Sequence, residues 1–353
     1  MAYSRGYHSY RGRTPKWRIV LTIVLTAVIL AAIAVILLSR NIVYDEDGSP
    51  RLELPWQDSA PQEDTPLPEV DLTIEPAHAE SAAVRAVLLP TPLTAPLLDE
   101  TLAACGEAYS SVAVTLKDGG SVYFDSTAAL PGTVAFTEKN AAGLDAALAA
   151  AKERGGRAIA RIACFHDPKA ANGDVEGMGL KNTGGYIFYD GNNSQWLDPG
   201  KEKARDYLKS IITEATAKGF TEILLTDVSY PTAGKLDKID LSNAQAAENA
   251  DGDGRTANLA AFLREVRAVL PEGVTLSLEL DANTIRSGAA VNTGGQALTE
   301  LAPLVDRIYA PATAEETSAL AEAVRAASDR CGFVPELTAA AEPLPESCLL
   351  LAQ

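Results

Sequence analysis

The chain has 353 residues, with 30 Lys and Arg against 47 Asp and Glu, for a net charge of −17. That length can bury a large core, and the acidity argues against nucleic acid as a partner, because phosphate binding needs clustered cations. Four cysteines without CxxC or Cys/His spacing provide neither a disulfide scaffold nor a metal centre, and no cofactor motif is present.

The charge is unevenly distributed. Residues 1–40 carry six basic side chains and no acidic one, which leaves 24 basic and 47 acidic groups for the rest. Residues 1–18 read as a basic cytoplasmic tail. Residues 19–38 (IVLTIVLTAVILAAIAVILL) are free of charge and long enough, at 1.5 Å per helical residue, to cross the ~30 Å core of a bilayer. They are expected to form a single transmembrane helix in contact with lipid. A signal peptide usually has a shorter apolar stretch before a small-x-small cleavage site, whereas this run ends Leu-Leu-Ser-Arg. Arg5, Arg11, Arg13, Lys16 and Arg18 precede the span, and Asp45, Glu46 and Asp47 follow it. The positive-inside rule then puts the chain beyond residue 40 outside the cell.

Residues 39–82 read as a disordered extracellular linker. From residue 41 onward they hold six prolines, eleven acidic groups and Arg51 as the one basic group, a composition that repels itself and lacks apolar periodicity.

Residues 83–353 form the folded domain. Eight β-type runs occur at 84–89, 111–117, 157–164, 221–227, 274–280, 305–310, 332–337 and 348–352. Helical patterns fit 140–154, starting at Asn140 as cap, and 201–217, ending before Gly219. Two more fit 255–269, after an Asp-Gly-Asp-Gly loop, and 313–328, from a Thr-x-x-Glu box. Strands alternating with helices predict an α/β fold with a parallel sheet, and eight such runs predict a (β/α)8 TIM-like barrel. An open doubly wound sheet is the alternative, disfavoured because no Gly-rich phosphate loop follows the first strand.

Barrel chemistry sits at the carboxyl ends of the strands. The polar groups there are Lys117 and Asp118, then His166 and Asp167, then Thr226 and Asp227. Ser277, Glu279 and Asp281 follow on one strand face, and after them Tyr309 and Glu336. Asp118, Asp167 and Glu336 are expected to cap helices or pair with cations. Asp227 and Glu279 are the candidate catalytic pair, because glycosidic cleavage needs one protonated and one ionised carboxyl. A lone histidine on the rim and the absence of a GxSxG elbow disfavour zinc and serine hydrolysis. Trp196, within the long segment GYIFYDGNNSQWLDPG (185–200), offers a flat face for a sugar ring, as do Tyr186 and Tyr189. The loop at 249–254 resembles the start of a calcium loop but has Ala260 where the bidentate Glu belongs, and is read as an acidic turn. Cys331 and Cys348 are left open as a pair.

Five stretches resemble the bacterial putative glycosyl hydrolase domain family, a membrane-anchored (β/α)8 barrel. VAVTLKDGGSVYFDS (112–126), IARIACFHDP (159–168) and WLDPGKEKARDYLKSIITEATAKGFTEILLTDVSYP (196–231) carry the likeness. RTANLAAFLREVRAVL (255–270) and GQALTELAPLVDRIY (295–309) follow in order. The resemblance implies an extracellular glycoside hydrolase acting on a cell-surface or environmental polysaccharide. Asp227 and Glu279 would be catalytic, and Lys117, His166, Trp196 and Tyr309 would bind substrate. Ungapped alignment puts Thr115 and Thr226 where the family has Asp, and Ser229 where it has Arg. Asp227 therefore replaces the lost Asp only if the strand end bulges or has already turned. These departures imply the second reading, a non-catalytic glycan-binding or structural module of the cell envelope.

Overall fold

The computed structural model describes residues 83–245 and 253–351, together with Trp17, Val24, Leu25 and two short strands near the amino terminus. Those strands, Ile42–Tyr44 and Pro50–Leu52, pair antiparallel within an amino-terminal unit that ends at Thr73. Their pairing falls inside the segment 39–82 read as a disordered linker. Apart from Val24 and Leu25, the expected span 19–38 lies outside the described residues. Among the described residues no helix is long and apolar enough to cross a membrane. Most of the 249–254 loop is likewise outside them.

The second unit is built on a closed barrel. Its strands are β1 (Arg85–Leu88), β2 (Ser111–Asp118), β3 (Ala158–Ala163), β4 (Glu222–Thr226), β5 (Thr275–Glu279), β6 (Arg307–Pro311), β7 (Gly332–Leu337) and β8 (Cys348–Leu351). Each pairs in parallel with the next in chain order, and β8 closes onto β1. All eight fall where the apolar runs predict them. Parallel strands lie under helices and need apolar residues on both faces, which is why the runs are nearly continuous.

The main crossover helices are α1 (Ala95–Cys105), α2 (Glu138–Glu153), α3 (Glu202–Ala217), α4 (Gly254–Val269) and α5 (Thr317–Ala327). Helix α3 shows the logic of the outer layer. Ala204, Tyr207, Leu208, Ile211, Ile212 and Ala215 recur at three- and four-residue steps and are buried against the sheet. Helix α1 escaped the sequence reading because its start is proline-rich, yet Pro96 is tolerated in the first turn. Thr137, not Asn140, precedes α2. Asn140 is its third residue, where its Oδ1 accepts from the Thr137 amide at 3.0 Å and its Nδ2 donates to the Leu93 carbonyl at 2.9 Å. The segment 338–347 between β7 and β8 contains no helix.

The barrel interior is filled in layers. Ala86, Ala113, Ile159, Leu224, Tyr309, Val334 and Leu349 form its apolar middle. Below them, at the amino ends of the strands, a buried polar network closes the floor. Glu222 is ion-paired with Arg307 and accepts from Ser277 Oγ and Tyr309 Oη, both at 2.7 Å. The open end is therefore the carboxyl rim.

Candidate active site at the carboxyl rim

β3, β4, β5 and β7 each bring a charged side chain to the rim: Arg161, Asp227, Glu279 and Glu336. Glu279 ends β5, and its Oε2 accepts from Arg161 Nη2 at 2.8 Å. Both side chains keep about a quarter of their surface open to solvent, so this pair faces the mouth.

Asp227 follows the last residue of β4. Its φ of 52° lies in the left-handed region, which Asp tolerates better than most residues. The strand has thus already turned, and the alternation of faces that would have directed Asp227 outward stops at Thr226. Burial pushes the Asp227 carboxyl above the ordinary carboxylate range. His166 and Arg161 oppose that shift, while Glu279 and Asp118 add to it. These four groups are therefore the electrostatic neighbours of Asp227.

Glu336 was expected to cap or pair, and it does neither of these with a cation. It is 4% exposed, its Oε1 has no hydrogen-bond partner, and Glu279 is its carboxyl neighbour. Two carboxyl groups can share a hydrogen bond only if one is protonated. Burial and the Glu279 charge push the Glu336 carboxyl up to about 8, with Arg161 opposing. Only its position at the end of an interior-facing strand hinted at this in the sequence.

His166 and Trp196 make one wall. Their rings lie 4.9 Å apart at 42°, His166 Nε2 is 2.7 Å from Ser194 Oγ, and Trp196 Nε1 donates to Asp190 Oδ2 at 2.9 Å. Both rings are half-buried, whereas Tyr186 and Tyr189 are exposed on the same segment.

Two expected substrate-binding residues do not reach the rim. A bulge between Thr115 and Lys117 shifts the β2–β3 register, so that Lys117 pairs with outward-facing Ile162. Lys117 is fully buried, ion-paired with Asp167 at 2.9 Å, and donates to the Ala163 carbonyl at 2.8 Å. Tyr309 is fully buried and points its hydroxyl to the barrel floor. Neither is placed to touch a sugar at the rim.

The other polar groups have structural work. Asp281 has left the strand and caps the helix at Ala282–Ser287 through the amides of Asn283 and Thr284. Asp167 caps Pro168–Gly173 through the Ala170 amide. Cys331 and Cys348 are buried free thiols, which removes the disulfide left open above. Thr115 and Thr226 are buried at the top of the barrel. A hollow of about 980 Å³ lies outside the barrel between α3 and residues 130–133 and contains none of the rim carboxylates.

Solved structures similar to this chain include a hypothetical protein from Ruminiclostridium thermocellum. It is 26% identical over 55% of this chain and 95% of that one, with a TM-score of 0.44. The PgaB (BpsB) glycoside hydrolase domain from Bordetella bronchiseptica is 16% identical over 72% of this chain and 84% of that one, with a TM-score of 0.48. The Thermus thermophilus alpha-galactosidase TtGalA is 15% identical over 68% of this chain and 45% of that one, with a TM-score of 0.42. No curated protein matches the chain. The family model described as "Putative glycosyl hydrolase domain" matches residues 97–312, from within α1 to just past β6 and including both Asp227 and Glu279. That match takes in well over half of the chain, which therefore belongs to the putative glycosyl hydrolase domain family.

Proposed function

We propose that the chain is a glycoside hydrolase that cleaves a polysaccharide at the barrel rim. One observation carries this reading: two rim carboxyls stand in different environments, Asp227 buried and Glu279 ion-paired with Arg161 at the mouth. Asp227 is desolvated and its carboxyl is raised, so it is fitted to donate a proton to the leaving glycosidic oxygen. Glu279 is held by Arg161 and open to the mouth, as suits the ionised partner that attacks the sugar or activates water. His166 and Trp196 supply a polar edge and a flat face for a sugar ring. In this reading residues 19–38 tether the barrel to the outer face of a cell membrane. The charge-free apolar run and its basic flank support that placement. The test is reducing-end release from a panel of cell-surface and environmental polysaccharides by the full-length chain. Asp227→Asn and Glu279→Gln should abolish release, and unchanged rates would remove the assignment.

A second reading rests on the same ion pair. Arg161 already satisfies one oxygen of Glu279, and the buried Thr115 and Thr226 stand where the family resemblance implies carboxylates. A barrel so built binds glycan without cleaving it. Detectable product from any glycan would eliminate this alternative.

A further inference from the structure

Within the hydrolase reading, Asp227 and Glu279 are assigned by their place at the strand ends. Glu336 lies beyond the family match, which ends at residue 312, and its nearness to Glu279 emerges only from the fold. It sits on β7, two strands round the barrel from Glu279. Glu279 pairs with Tyr309 on β6, and Glu336 pairs with Pro311, two residues further up that strand. Both side chains turn inward, and the closed barrel makes the two carboxyls neighbours.

We infer that Glu336 is a positioning residue that carries the proton of the Glu279–Glu336 hydrogen bond and so holds Glu279 as the carboxylate gripped by Arg161. The geometry favours this assignment of the proton. Glu336 Oε1 is buried without a partner, which a neutral carbonyl oxygen tolerates far better than a carboxylate oxygen does. Glu279 instead has both Arg161 and partial access to water. The charged and titratable groups facing Glu336 are Glu279 from β5, Arg161 from β3 and Tyr309 from β6. Asp227 and Asp118 stand behind these as neighbours of Arg161 or Glu279. The one cation among them, Arg161, grips Glu279. The raised carboxyl of Glu336 agrees with this arrangement. As pH rises past its pKa, Glu336 loses the donor, and two carboxylates then repel one another at the mouth.

The test combines infrared difference spectroscopy with kinetics on the full-length chain. At neutral pH the protonated-carboxyl absorption of the wild type should contain a component that is lost in Glu336→Gln and retained in Asp227→Asn. Its titration midpoint, near 8 in the wild type, should move down in Glu279→Gln, where the neighbouring charge is gone. If hydrolysis is measurable, Glu336→Gln, which keeps a donor, should stay within a few-fold of wild-type kcat and lose the alkaline fall. Glu336→Leu should lose roughly tenfold or more in kcat with KM little changed. Protonated-carboxyl absorption that loses no component in Glu336→Gln, or a midpoint indifferent to Glu279→Gln, overturns the inference. These spectral results stand without substrate: absence of turnover with the band present would reject the hydrolase reading and leave the proton-sharing pair in place.

Discussion

Replacing Lys117 with Met separates a structural lysine from a substrate-binding one. The amine is fully buried, 2.9 Å from Asp167 and 2.8 Å from the Ala163 carbonyl, with the Tyr207 ring 5.9 Å away. Removing one partner of a buried ion pair leaves the other charge uncompensated, which costs about 3–5 kcal/mol. The carbonyl that loses its donor lies within that sum, since the contributions of touching groups do not add. Against a typical total of roughly 5–15 kcal/mol for a domain, the loss is a large fraction. Asp167→Asn in the Lys117→Met background removes the stranded charge and keeps an oxygen for the Ala170 amide. The double variant should recover most of the deficit. Denaturant unfolding of the full chain, followed by tryptophan fluorescence and circular dichroism, measures all three. A Lys117→Met variant within ~1 kcal/mol of wild type would refute the reasoning. So would one that folds normally but binds glycan far more weakly, which would return Lys117 to the rim.

Stability should also respond to pH through Glu336. Its proton is held up to about 8 in the folded chain against 4.5 for an ordinary glutamate. Between those values the folded state binds a proton that the unfolded state has released. Stability therefore falls as pH rises through the window, by at most ~1.4 kcal/mol per pH unit from this group. Glu336→Gln should flatten that slope in denaturation curves across the window, and an unchanged slope would exclude Glu336 as its source. Asp227→Gly should raise stability by about 1 kcal/mol, because it relieves a positive φ and a desolvated carboxyl. In the same variant hydrolysis should vanish, and a drop in the thermal midpoint would contradict the strain argument. Tyr309→Phe should cost ~1–2 kcal/mol by removing one donor from Glu222. Glycan affinity should be unaffected, and a weakened affinity would place the hydroxyl at the rim after all.

The fold was legible because parallel strands under helices cannot be disguised. The eight apolar runs stand out against turns and amphipathic stretches, and the barrel has a strand at each of them. What stayed hidden lay where side-chain chemistry and backbone pattern disagree. Helix α1 begins in a proline-rich stretch, so a composition that ordinarily marks a turn concealed a helix whose first turn accommodates proline.

The site was legible in its location and less so in its members, for a reason visible in three residues. Strand alternation assigns a face to each side chain only while the strand is regular. One bulge after Thr115 turned Lys117 out of the barrel, and one left-handed residue at the end of β4 broke the alternation at Asp227. Both irregularities sit at the rim, where bulges are common and re-aim side chains. Glu336 shows the complementary limit. Its partner Glu279 is 57 residues earlier in the chain, and nothing short of closing the barrel reveals that the two carboxyls meet. A rim carboxylate can therefore be nominated from sequence by its place at a strand end. Its protonation depends on neighbours contributed by other strands, and the division of roles among Asp227, Glu279 and Glu336 comes from the tertiary fold.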